Sequence, residues 1–164
     1  MSLNIDLYAV THRDGHERAT PEQRETFAKI LDLVGLAPFN PVDSIPYLAV
    51  NIHVADWNHA CQISRWFTDH LEDGESSEEE VPVNRETLRQ LLDTCNKILV
   101  RRNRKEAEAM LPLPHDLFED KAEARAYWRE TYWHHVEETV RQLDPILNNP
   151  KFTAQWEFRG QFGG

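Results

Sequence analysis

Eight histidines in a chain of 164 residues are the first place to look for chemistry. His12 and His16 flank the Asp14-Gly15 turn, with Glu17 close by. Zinc needs three or four converging ligands, and no second cluster stands at a matching spacing, so this pair reads as exposed loop histidines. His59 and His70 fall on one helical face but lie eleven residues apart. That is ~16 Å along a helix axis, too far to share a metal unaided. His134 and His135 are adjacent on a helix and point ~100° apart. No metal or other cofactor is expected. A combination across helices remains: His59, Trp66 and His70 could line a groove with Tyr127, Trp128 and His134. Aromatic rings mixed with imidazoles could hold a small planar ligand. The same residues could form a core layer whose Trp and His donors are satisfied internally. Aromatic stripes at helical spacing usually pack, so the core reading is preferred.

Nucleophiles offer less. Ser44, Ser64, Ser76 and Ser77 lack the flanking glycines of a nucleophile elbow. Cys61 and Cys95 sit in apolar stripes, where a thiolate is disfavoured. The six glycines form neither GxGxxG nor GxxxxGK[ST]. Carboxylate pairs such as Glu137-Glu138 are ordinary exposed helix charges. An enzyme is therefore not the expectation.

Composition narrows the partners. The formal net charge is −10, with 40% hydrophobic and 28% charged residues. Such a chain is globular, and 164 residues fit a single domain spanning 1–164. Phosphate affinity comes from Lys and Arg, so direct nucleic-acid binding and membrane-surface binding are both disfavoured. Acidity favours solubility and basic partners. Two cysteines at apolar positions read as reduced, buried thiols. No stretch approaches the ~20 apolar residues of a membrane span, and no signal peptide is recognisable. The expectation is a cytoplasmic protein.

The elements that position these residues follow from periodicity. Residues 3–10 alternate, with Leu3, Ile5, Leu7 and Ala9 on one face, which is a half-buried strand. THRDGHERA reads as a polar loop. Thr20 as N-cap and Pro21 open a helix over 21–34 with Phe27, Ile30, Leu31 and Val34 as its stripe, closed by Gly35. Pro38, Pro41 and Pro46 exclude a helix from 36–46. Residues 47–54 read as a strand with Leu48, Val50, Ile52 and Val54 facing the core. Asp56 then caps an aromatic helix over 57–71. Glu75–Glu80 is a solvated acidic run. Asn84 caps a helix over 85–101 carrying Leu88, Leu91, Leu92, Cys95, Ile98 and Leu99, and its basic end (Arg101, Arg102, Arg104, Lys105) suits the macrodipole. Residues 110–118 form a Pro-broken loop. Asp120 caps a helix over 120–147 with Tyr132, Val136, Val140, Leu143 and Leu147 as its seam, strained at Pro145. Phe152 to Phe158 alternate as a closing strand. Short strands at the two ends, each without a hairpin partner, must pair in one sheet to satisfy their backbones. The expected fold is α+β: a small, mostly antiparallel sheet of N-terminal, middle and C-terminal strands covered by about four helices.

Several of these residues carry a resemblance. They are Leu3 to Tyr8, Ile63 to Phe67, the stripe Val83, Leu88, Leu91, Leu92, Cys95 and Leu99, then Leu111-Pro112, Tyr127-Trp128, and Phe152 to Trp156. In this pattern the sequence resembles a family of small phage and prophage proteins of unknown function. The likeness covers most of 3–10 and 57–156. The chain departs from it at Leu113 to Phe118, where the family is Gly- and Phe-rich, and in a longer segment from His12 to Pro46. The resemblance implies a phage or prophage context and carries over no functional residue. The expected function is a non-enzymatic accessory protein that binds a host or phage protein, with anti-defence or host takeover as one form. The alternatives are a small-ligand-binding or hydrolytic domain using the His/Trp groove, and a virion or assembly component.

Overall fold

The computed structural model of the protein describes residues 4–14, 20–35, 47–71, 80–114, 118, 120–152 and 156–163. The expected Pro-rich connection, most of the acidic run, the His12 side chain and His16 lie outside the described residues. The chain forms two compact units: Val10–Ile52, and Met1–Ala9 with His53–Gly164.

The fold is α+β with a four-stranded sheet in the order β2-β1-β4-β3. Strand β1 (Asn4–Asp14) buries Ile5, Leu7 and Ala9, as its alternation requires. It runs on through residues expected to be a loop. Strand β4 (Glu157–Gly163) lies beside β1, so the two ends of the chain are neighbours in one sheet. The closing strand is therefore present but begins at Glu157, not at Phe152. Phe152 and Trp156 precede it as partly buried residues with ring centroids 5.2 Å apart. Strand β3 (Val81–Val83), not expected from sequence, pairs antiparallel with β4, Val81 opposite Gly160 and Val83 opposite Phe158. Gly160 is needed there: a Cβ would stand 2.8 Å from the Phe162 ring and 3.2 Å from Val83.

Strand β2 (Tyr47–Asn58) is longer than expected and takes the first turn of the expected aromatic helix. Trp57 is a buried strand residue whose Nε1–H donates to Thr139 Oγ1 at 2.9 Å. Asp56 is not a cap. Its backbone N–H donates to Gln142 Oε1 at 2.7 Å, and its carbonyl accepts from Gln142 Nε2 at 2.8 Å. One amide thus replaces a neighbouring strand, which holds the chain extended. The expected inward face of β2 is also corrected. Ala55 and Trp57 are buried, whereas Ile52 is 40% exposed and Val54 only partly buried.

Helix α2 (Cys61–His70) buries Cys61, Gln62, Ile63 and Phe67. Phe67 packs between Trp57 at 5.7 Å and Phe162 at 5.3 Å. Helix α3 (Arg85–Arg101) buries the expected stripe of Leu88, Leu91, Leu92, Cys95 and Ile98. Asn84 caps it, accepting from the Glu86 N–H at 2.8 Å. Arg102 then adopts the left-handed conformation (φ 45°) and Asn103 caps a further helix, α4 (Arg104–Met110). The basic cluster is consumed by this corner. Arg101 pairs with Glu106 at 2.6 Å, Arg102 pairs with Glu137, and Arg104 lies over the Trp128 ring at 4.9 Å.

The expected long helix is two helices, α5 (Lys121–Glu130) and α6 (Tyr132–Leu147), broken at Thr131 (φ −116°). Asp120 caps α5 through the Ala122 and Glu123 N–H groups. Trp128 and Tyr132 stack at 3.9 Å across the break. Pro145 is absorbed into the last turn of α6. Helices α2, α3 and α6 close one face of the sheet in a single core with Ile5, Leu7, Trp57, Val83 and Phe158.

In the Val10–Ile52 unit, α1 (Pro21–Leu33) buries Phe27 and Leu31, and Gly35 ends it at φ +73°, as a C′ glycine should. Ile30 is half-buried and Val34 is exposed.

Candidate functional site

The six residues singled out by type and spacing fall into separate settings. His59 and Tyr127 meet. The turn from β2 into α2 puts His59 in the left-handed region (φ 56°). Its carbonyl accepts from the Cys61 N–H at 3.0 Å, the Cys61 thiol at 3.4 Å and the Tyr127 hydroxyl at 3.4 Å. Trp66 and His70, one helical turn apart, stack at 3.7 Å, and His70 Nδ1 donates to the Trp66 carbonyl at 2.8 Å. The buried Trp66 Nε1 has no hydrogen-bond partner among the described residues. Trp128 is 4% exposed and belongs to the core. The His134 side chain faces outward, 6.0 Å from the His135 ring.

Around His59 and Tyr127 lies a polar cluster that includes His135 and two residues the sequence did not point to, Gln62 and Thr139. Tyr127 O–H donates to Gln62 Oε1 at 2.7 Å, and Gln62 Nε2 donates to the Tyr132 carbonyl at 3.3 Å. With its proton directed chiefly at Gln62 and more weakly at the His59 carbonyl, the phenol oxygen accepts from His135 Nδ1–H at 3.2 Å. The His135 carbonyl accepts from Thr139, which receives the Trp57 indole. The chain of bonds ties β2, α2, α5 and α6 together, and both Gln62 and Thr139 are fully buried.

Burial favours the neutral forms of Cys61, Tyr127 and His135. Burial, followed by the neighbouring His134 and His59, pushes His135 down to about 4. Burial raises Tyr127 far above the ordinary phenol range, and the nearby Cys61 adds to it. Burial raises the Cys61 thiol, outweighing the hydrogen bond from Tyr127 that favours the thiolate. A neutral thiol, phenol and imidazole joined by internal bonds make a strut rather than an activated nucleophile. No group of three or more His, Cys, Asp or Glu could hold a metal ion among the described residues.

A concave feature lies elsewhere, where α2 ends, α3 begins and β3 meets β4. It is a cleft of about 530 Å³ lined by His70, Val81, Arg85, Thr87, Trp156 and Phe158, among others. That lies within the about 300–1,000 Å³ of ligand pockets. Phe158 is its buried floor, and the Arg85 guanidinium sits 5.2 Å over the Phe158 ring while donating to the Phe152 carbonyl. Glu157, on the rim, stands 3.8 Å from Arg159. Of the six residues named from sequence, only His70 lines this cleft. The others there come from β3, from the start of α3 and from the approach to β4, a strand that starts later than its pattern suggests.

No family model, curated protein or solved structure matches the chain.

Proposed function

We propose that this is a non-enzymatic accessory protein of phage or prophage origin that acts in the host cytoplasm by binding a host or phage protein. The β3–β4–α3 cleft is the seat of that binding. The observation that carries the reading is the cleft itself: apolar Val81, Trp156 and Phe158 beside polar Thr87, His70 and Arg85. That mixture of an apolar anchor with a few orienting polar groups suits recognition of a protein segment. The neutral forms and internal hydrogen bonds of the Cys61–Tyr127–His135 cluster support a non-catalytic role. Among the described residues no helix is long and apolar enough to cross a membrane. Phage origin and cytoplasmic location rest on the sequence resemblance and composition.

The test is affinity capture from a host lysate with the wild-type chain and with Thr87→Trp, which fills the cleft from the half-buried third residue of α3. The reading expects a partner recovered by the wild type and lost by the variant. A partner kept by both, or none recovered by the wild type at micromolar concentration, would overturn it.

A further inference from the structure

We infer that the cleft receives a proline-rich partner segment in the extended polyproline II form, an inference that rests on the cleft being the binding seat. Three features of the lining carry it. The first is neutrality. The Arg85 guanidinium donates to the Phe152 carbonyl and covers the Phe158 ring, so it is spent inside the chain. Arg159, beside the cleft, is shared between Glu80 at 3.9 Å and Glu157 at 3.8 Å. A charged side chain brought into the cleft would lose water and find its counter-charges already engaged. An uncharged segment carries no such cost, and the apolar wall of Val81, Pro82, Trp156 and Phe158 suits pyrrolidine rings, which dock on aromatic-lined grooves.

The second feature is the polarity of the hydrogen-bonding side chains. Asn84 spends its side-chain oxygen on the Glu86 N–H, which leaves its amide nitrogen free to donate. The Thr87 hydroxyl and the Trp156 indole N–H have no internal partner among the described residues. Asn84, Thr87 and Trp156 thus supply donors to the cleft, while the Glu157 carboxylate faces Arg159. A polyproline II segment matches this wall: it makes no internal hydrogen bonds, its carbonyls are open to donors, and each proline brings no N–H that would need an acceptor. The third feature excludes the commonest way of binding at a sheet edge. Strand β3 is an edge strand of three residues, and its middle residue is Pro82. Proline donates no N–H, so strand addition along β3 would lack a ladder bond at its centre.

The experiment uses the full chain and the peptide acetyl-Pro-Pro-Leu-Pro-Pro-Leu-amide, with acetyl-Ala-Ala-Leu-Ala-Ala-Leu-amide as its flexible counterpart. Binding is followed by the Trp156 indole N–H signal in ¹H–¹⁵N spectra. Thr87→Val is the informative variant, because it keeps the branched shape at the third residue of α3 and removes the hydroxyl donor. Thr87→Ser keeps the donor and serves as its control. The proline peptide should bind the wild type at least about tenfold tighter than the alanine peptide, since its form is already ordered. Thr87→Val should weaken it by about two- to tenfold, the worth of one hydrogen bond, and Thr87→Ser should leave it near the wild type. Equal binding of the two peptides, tighter binding of the alanine peptide, no shift at Trp156 with either, or equal affinities for Thr87→Val and Thr87→Ser overturns the inference. A lysate partner lost by Thr87→Trp but not displaced from the wild type by the proline peptide leaves the cleft as the seat and overturns only the proline-rich assignment.

Discussion

His135 is the residue with the clearest solution signature. Its imidazole binds a proton more weakly in the folded chain, at about 4, than in the unfolded chain, at the ordinary 6.5. Stability from this group is therefore complete above about pH 6.5, falls as pH drops toward 4, and levels off below. The ring is only part-buried, so solvent screening reduces the effect to about 1–2 kcal/mol. Urea unfolding at pH 7 and pH 4.5 should show the wild type losing that much more than His135→Asn, which keeps a side-chain donor; equal losses would contradict the neutral-imidazole network. The thiols give a second check. Burial pushes Cys95 up to about 12 and raises Cys61, and both are free. Neither should react with an aromatic disulfide reagent at pH 8 until the chain unfolds, and rapid labelling of Cys61 in the native protein would mean that the His59 turn opens. The buried state of both thiols was legible in their apolar stripes. Gln62 was not, because one glutamine inside an apolar window carries no periodic signal, and its role depends on Tyr127, 65 residues away.

Elements were legible where their signals are local. Asn84, Asp120 and Gly35 end or begin helices as their types require, because a cap is a contact between residues two or three apart. Asn84→Ala should cost about 1 kcal/mol in thermal or urea unfolding, and Asn84→Asp should cost little, since both oxygens accept the Glu86 N–H. An equal loss for both substitutions would shift the role of Asn84 from the cap to the cleft it also lines. Boundaries set by distant partners were not legible. The pattern from Trp57 to Leu71 is helical, yet Trp57 belongs to β2 because Thr139 and Gln142 of α6 supply the bonds that keep it extended. Alternation begins at Phe152, yet pairing begins at Glu157, because register is fixed by β1 and β3 on either side of β4. The end of α3 at Arg101 was placed correctly, but the break of 120–147 at Thr131 was not, because threonine gives no strong stop signal there.

At the scale of the whole molecule, the sheet depends on its last strand. β4 lies between β1 and β3, so it completes the ladder on one side of β1 and, among the described residues, is the only sheet neighbour of β3. The need for the two ends of the chain to pair could be argued from unpaired backbone groups alone, and the fold meets it. The energetic centre shifts with the register. Trp156 is only partly buried, whereas Phe158 is 2% exposed, faces Val83 across the ladder and floors the cleft. Phe158→Ala should therefore cost about 3–5 kcal/mol, and Trp156→Ala distinctly less, which equilibrium unfolding of the two variants would measure. Ending the chain at Trp156 removes β4 altogether. β3 then has no strand to pair with, Phe67 loses Phe162, and the edge of β1 opens along its apolar face. A domain has a stability of only about 5–15 kcal/mol to lose, so this truncation should abolish cooperative melting and slow-exchanging amides in α3 and α6. A truncated chain that melts at the wild-type temperature with α3 still protected would place the stabilising core in the helices alone and make the sheet an addition to it.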